Sequence, residues 1–499
     1  KEYRRQRQMC IRDRGKGVTA LAARDFIAGG QMVSAGSATL TAGRDAVFDA
    51  RLSVDGDLTL RAQDKAKLTG QVETTGMANL QAGGEVALPG SLLSNQGTDV
   101  RAGGALDVSG TAGAAQGALT LAAEGDLAVG GSAQAGGSLS MIAKGALSVA
   151  GTASSLAGLT ARAGTDATVT GKLLADGPLL LEAMGQLLAG ADARLQSEGG
   201  MALRAGQDLI LAGEAETNKG LTLEAARDLR VDGAALAYGG LLTMDAGNDL
   251  RLGNASRTQG NGVSARATGD LLAGGAMASR GDILLTAGRD ARVDSKAAAT
   301  GNLSLVAGHD LAMGTTAQWD AEGASWARAG NDMTLAGAWR GNGDMTMTAA
   351  GKLFVDGALA SGGRLSLDAG GDLSMRELAR VAAKGPVNVT TLGDLRVAGA
   401  LSSLDALTML AARTATLAGQ VYAARGLDMS AGQTLTAAAG SHLQSDASMA
   451  LRAGQDLNLA GTALAEGGMA LDAARDLRVD GNALAYGGAL NLKSGNDMR

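Results

Sequence analysis

Gly220-Leu-Thr-Leu-Glu-Ala225, Asp228-Leu-Arg-Val-Asp-Gly233 and Ala235-Leu-Ala-Tyr-Gly-Gly240 follow one another directly along the chain. In the first segment Leu221 and Leu223 share one face while Thr222 and Glu224 face away. In the second, Leu229 and Val231 point inward, with Arg230 and Asp232 outward. Period-2 alternation over four or five residues describes a short strand with one wet face. Glycine at the segment ends supplies the turns. The third segment is the weakest of the three.

This unit recurs. Residues 195–251 and 443–499 match closely at an offset of 248, for example Met201-Ala-Leu-Arg-Ala-Gly-Gln-Asp-Leu209 against Met449-Ala-Leu-Arg-Ala-Gly-Gln-Asp-Leu457. Inside that block an Ala-Gly-x-Asp or Ala-Arg-Asp signature returns, with its aspartate at Asp208, Asp228, Asp249, Asp290, Asp310, Asp332, Asp456 and Asp476 among others. Twelve steps separate Asp249 from Asp497, or about 20.7 residues each, and roughly 24 units of 19–22 residues fill the chain. A helical repeat of the tetratricopeptide type needs about 34 residues, too many for this unit.

Strands this short, identically patterned in every unit, are satisfied by coiling. Each unit becomes one rung, and each strand pairs in parallel with its counterpart in the next unit. The expected fold is therefore all-β: a right-handed parallel β-helix (solenoid) of about 24 rungs of roughly 19–22 residues, with three short strands per rung. At about 4.8 Å per rung the coil would extend on the order of 115 Å. Each rung contacts only its neighbours, so stability accumulates along the axis.

Composition fits a thin core of stacked small residues. There are 77 Gly and 3 Pro, aromatics make up 2% of the chain, and hydrophobic residues reach 45%. Glycine at this density without a Gly-X-Y period excludes collagen and would be costly in long helices. The balance of 44 basic against 50 acidic residues gives no nucleic-acid footprint. A membrane-spanning helix needs a run of about 18 apolar residues; the chain has none, and no membrane insertion is expected. Cys10 is the single cysteine, so no intramolecular disulfide is possible. Residues 1–14 carry six basic and two acidic side chains and lack the repeat. They read as a disordered or non-native basic leader, with residues 15–499 forming the repeat shaft. The chain opens at Lys1 and stops in mid-repeat at Arg499, so a fragment of a longer protein is expected.

The unit Gly-x-Leu-x-Leu-x-Ala-Gly-x-Asp-Leu-x-Leu/Val-x-Gly resembles the haemagglutinin repeats of filamentous haemagglutinin-like exoproteins, over about residues 15–499. The resemblance implies two-partner secretion through an outer-membrane transporter and a secreted product at the bacterial cell surface. It implies an adhesin shaft that projects a distal binding domain toward a host or bacterial receptor. The alternative is the stick of a contact-dependent growth-inhibition toxin, and a β-helical polysaccharide-degrading enzyme is a remote third. No cofactor is expected.

Candidate sites are few. Calcium β-rolls need Gly-Gly-x-Gly-x-Asp every nine residues or so, whereas here one aspartate returns per unit. A turn role is expected, in which the carboxylate satisfies backbone N–H groups at the corner and neighbouring arginines (Arg24, Arg44, Arg227, Arg289, Arg475) offset the stacked charge. Arg280-Gly281-Asp282 spells an integrin-type tripeptide in a turn, although composition alone predicts about 0.4 such triplets. Trp319, Trp326 and Trp339 are all the tryptophans and fall within two rungs. Aligning Asp332 with Asp310 puts Trp326 at the slot of Ser304, outward, and makes the three a candidate binding patch. Local packing is the alternative. No catalytic or metal-binding set is expected: rungs of near-constant length leave no room for cleft walls, and His309 and His442, the only histidines, have no Cys or His partner.

Overall fold

The computed structural model describes residues 12–13 and 17–499. The expected leader and Cys10 lie outside the described residues, apart from Arg12 and Asp13, whose backbones pair with Val33 and Ser34. Every regular element described is a strand, and the fold is a parallel β-solenoid of about 24 turns. It divides into two compact units, Lys1–Gly247 and Asn248–Arg499, each built from twelve repetitions of the first strand of a turn.

A typical turn in the first unit has strands Leu221–Ala225, Leu229–Val231 and Ala234–Ala237. Each pairs in parallel with its counterpart one turn earlier: Leu221 with Met201 and Leu223 with Leu203, then Leu229 with Leu209, then Ala235 with Ala215. The second unit repeats this with Leu303–Ala307, Leu311–Met313 and Gln318–Ala321. Alternate residues point inward and are nearly water-free, such as Leu221, Leu223, Leu229, Val231, Ala235 and Ala237. The core is thus a set of stacked columns, leucine-rich on the first two strands and alanine-rich on the third.

Turn length varies mainly at one place. In the longest turns the extra residues sit between the second and third strands, where an N–H bonds back to a nearby carbonyl: Ala193 to Gly190, Ala317 to Gly314, Ala379 to Arg376 and Ser441 to Ala438. Two early turns differ again. Phe26–Ser34 and Ala46–Val54 are single nine-residue strands, with second and third segments merged. In the turns that follow, the strand breaks at this corner, and Gly70, Gly90, Gly110, Gly131, Gly151 and Gly171 hold the break.

That glycine is demanded by close approach. A Cβ on Gly110, Gly131, Gly151 or Gly171 would lie 1.9 Å from the carbonyl oxygen of the corner glycine one turn earlier. At the third corner hydroxyls in some turns satisfy carbonyls instead, sharing one column with buried alanines such as Ala175 and Ala383. Buried Ser197, Ser361 and Ser403 donate to the carbonyls of Gly177, Gly343 and Gly385 at 2.7, 3.0 and 2.9 Å. These polar side chains are inward yet paired, so their burial carries little penalty.

Gly131→Ala is expected to destabilise its turn by about 1–3 kcal/mol, as overpacking does. Hydrogen exchange of the Ser132 and Gly151 amides would read this as faster local opening. Gly29→Ala, with nothing within 4 Å of the new methyl group, should leave exchange in its own turn no faster.

Candidate functional site

The repeated aspartate forms a ladder along the corner between first and second strands. Its Oδ1 accepts the backbone N–H of the aspartate-position residue one turn later: Asp126 from Ala146 (2.8 Å), Asp166 from Gln186 (2.8 Å), Asp310 from Asp332 (3.1 Å) and Asp332 from Lys352 (2.7 Å). The expected turn role is observed, with one refinement. The N–H belongs to the neighbouring turn, so the side chain ties turns together rather than closing its own corner.

Stacked carboxylates repel, and the residue before the aspartate answers this by reaching back one turn. Arg44 Nε lies 2.7 Å from Asp25, Arg227 Nε 2.6 Å from Asp208 and Arg475 Nε 2.7 Å from Asp456, with a second guanidinium nitrogen on each carboxylate. Arg289 spans Asp270 and Asp249, both at 3.1 Å. The Arg227 hydrogen bond holds the Asp208 carboxyl below the usual range against the opposing push of desolvation, and Arg475 and Arg44 do the same for Asp456 and Asp25. For Asp372 the first cause is the backbone N–H of Asp394. His309 takes the arginine's place once, with Nδ1 2.9 Å from Asp290 Oδ1.

Arg280-Gly281-Asp282 belongs to the corner between third and first strands, where a parallel ladder runs. Asp282 Oδ1 accepts the Asn302 N–H at 2.7 Å, and Asn302 Oδ1 accepts the Ala324 N–H at 2.9 Å. Ser279 Oγ accepts the Gly281 N–H at 3.1 Å and donates to the Asp282 carbonyl at 3.0 Å. Arg280 borders a shallow groove lined by Ala278, Ala298, Asp320, Glu322 and Arg340. The tripeptide is fastened to both neighbouring turns, since the Arg280 N–H also bonds to the Gly260 carbonyl at 3.1 Å.

The three tryptophans do not share a surface. Trp326 lies outward beside Ser304 and Thr346 and is 39% exposed. Trp319 and Trp339 are fully buried, paired in register on adjacent third strands, with ring centroids 4.9 Å apart and planes at 61°. The patch expected from the sequence is corrected to one exposed ring and two core rings. The core makes room by shrinking opposite them. In the turn of Trp326 the inward residues are Ser325 and Ala327, where the preceding turn has Leu303 and Leu305. Gly341 follows Trp339 on the third strand at an inward position. Trp319 Nε1 donates to Ser295 Oγ at 3.2 Å.

The charged residues brought together across turns lie chiefly on the corner ladders. A parallel β-solenoid of stacked repeats is the class this arrangement defines. Haemagglutinin-repeat family models match residues 15–62, 63–131, 247–307 and 402–482, together about half of the chain. The chain belongs to the haemagglutinin-repeat family and is filamentous haemagglutinin-like. No curated protein and no solved structure matches it.

Two outcomes follow from this geometry. Trp326→Phe should remove the iodide-quenchable share of tryptophan fluorescence, whereas Trp319→Phe and Trp339→Phe should leave it; quenching that survives Trp326→Phe would contradict the assigned burial. Carboxyls whose folded pKa is depressed add stability that is complete above the ordinary aspartate value of 3.8 and is lost as pH falls through their folded values. Replacing both Arg227 and Arg475 with Gln should therefore move the acid loss of β circular dichroism to higher pH. The displacement should shrink in high salt, because these pairs are exposed.

Proposed function

We propose that this chain is a spacer in the shaft of a secreted bacterial surface adhesin, and that what it contributes is length. The observation that carries this is the uniformity of the turns: among the described residues no connection between strands exceeds four residues. Nothing described is therefore built out from the coil to make a cleft or a receptor-binding lobe. Twelve turns at about 4.8 Å give each unit a length of about 58 Å. Membership of the haemagglutinin-repeat family supports export by two-partner secretion and display at the cell surface, with adhesion carried by a domain at the far end of the shaft. The same uniformity disfavours catalysis, because polysaccharide-cleaving sites need carboxylates brought together across a walled cleft. The toxin-stick alternative uses the same shaft with different cargo. It is distinguished by a nuclease-like or pore-forming module downstream of the gene, followed by a small immunity-type reading frame.

Trp326 and the Arg280-Gly281-Asp282 corner are secondary contact points on this reading, each confined to one turn.

The test is made in the intact exoprotein on the producing cell. Deleting whole turns, Leu139–Gly158 for example, moves Leu159 into the register of Leu139. It should preserve β structure while reducing attachment through a thick surface polysaccharide as more turns are removed. Deleting half a turn throws every column out of register and should abolish folding. Attachment that is indifferent to the number of whole turns would overturn the spacer role.

A further inference from the structure

Asp290, His309 and Asp310, in the Asn248–Arg499 unit, bring three metal-ligating atoms within 4.8 Å of one another, and no other such group occurs among the described residues. His309 Nδ1 is 2.9 Å from Asp290 Oδ1 and 3.4 Å from Asp310 Oδ2. Donors bound to tetrahedral zinc at about 2.0–2.1 Å stand about 3.3 Å apart. The two distances from the imidazole are already near that spacing, on a corner whose flanking strands are held by parallel pairing.

The ladder explains why this happens once. At the equivalent position of other turns stand Arg44, Arg227, Arg289, Arg413 and Arg475. A guanidinium keeps its proton and can only donate to the stacked carboxylates. An imidazole in that slot meets the same two carboxylates, but it can give up its proton and present a lone pair. The carboxylates are also oriented. Asp290 Oδ1 takes the Asp310 N–H at 3.0 Å. Asp310 Oδ1 takes the Asp332 N–H at 3.1 Å and Asn331 Nδ2 at 2.8 Å, which leaves Oδ2 as the oxygen facing His309. Such outer contacts fix ligand direction.

We propose that Asp290, His309 and Asp310 form a binding site for a divalent transition-metal ion of the zinc class. One imidazole nitrogen and two carboxylate oxygens suit zinc, nickel or copper(II) rather than calcium or magnesium, which take oxygen alone. All three side chains reach solvent, so the remaining coordination positions are open to water or to a donor from another molecule. The ion would replace the imidazole proton as the charge that offsets two stacked aspartates.

The experiment is a calorimetric titration of Zn²⁺ into the full chain, carrying no polyhistidine tag, at neutral pH. One equivalent is expected for the unaltered chain and for His442→Gln, and none for His309→Arg or Asp290→Asn. His309→Arg installs the residue that other turns carry there, so β circular dichroism should be unchanged. Asp290→Asn keeps a carbonyl oxygen for the Asp310 N–H, and provides the answer if the arginine variant folds poorly. The absence of binding to the unaltered chain, or an equivalent that survives both substitutions, would overturn the proposal.

Discussion

Parallel backbone pairing between successive turns is the constraint from which the rest follows. Within each unit a strand finds its hydrogen-bond partners in the equivalent strands one turn before and one turn after it. Every side chain therefore lies beside its own positional equivalent, as Leu223 lies on Leu203. Stacking like on like suits leucine, valine and alanine, which gain buried apolar area in continuous columns. It suits aspartate badly, and the corners show how the charge is managed. Carboxylates such as Asp208 are turned onto a backbone N–H of the next turn, and a guanidinium from that turn reaches back to them.

The same constraint makes corners the costly places. Two backbones passing at strand spacing leave no volume for a methyl group at the corner from Gly90 through Gly171, so glycine is fixed there by sterics rather than by any unusual φ. The third corner accepts a small side chain, either an alanine such as Ala175 or Ala383 or a hydroxyl such as Ser197 or Ser361 that satisfies a carbonyl of the adjoining turn. Extra length is tolerated where the added residues can close on themselves, as Gly314 and Ala317 do. The merged strands of the two early turns mark the other limit. There Gly30 pairs with Ala50 as part of a ladder that runs unbroken from Phe26 to Ser34.

Much of this is legible in the sequence because the period is short and the inward residues are chemically uniform. The first strand, the second strand and the aspartate corner can all be placed by counting from Ala-Gly-x-Asp, and Trp326 takes its outward register from that count. The third strand cannot be placed in this way. It lies beyond the corner that absorbs the extra residues, so Trp319 stands farther along the chain from Asp310 than Trp339 does from Asp332, yet both occupy one column. Their burial did leave a trace. Ser325 and Ala327 interrupt the leucine pattern of the first strand, and in a close-packed core a local loss of volume calls for a large side chain nearby. His309 was hidden differently. Its partners are carboxylates, Asp290 and Asp310, rather than the cysteine or histidine by which a zinc set is commonly recognised.

A coil of nearly constant turns also limits how chemistry can arise on it. With no connection longer than four residues among those described, functional groups cannot be gathered by growing a loop. They can be gathered only by changing one member of a column, where the neighbours one turn away are already in position. A leucine pair reduced to serine and alanine opens space for two indoles packed edge to face. An arginine changed to histidine between two aspartates turns a charge-balancing ladder into a set of ligands. In both cases the side chains depart from the repeat while the strands around them keep their parallel register. Departures from the column, more than motifs along the chain, are therefore where specific function is to be sought in this fold.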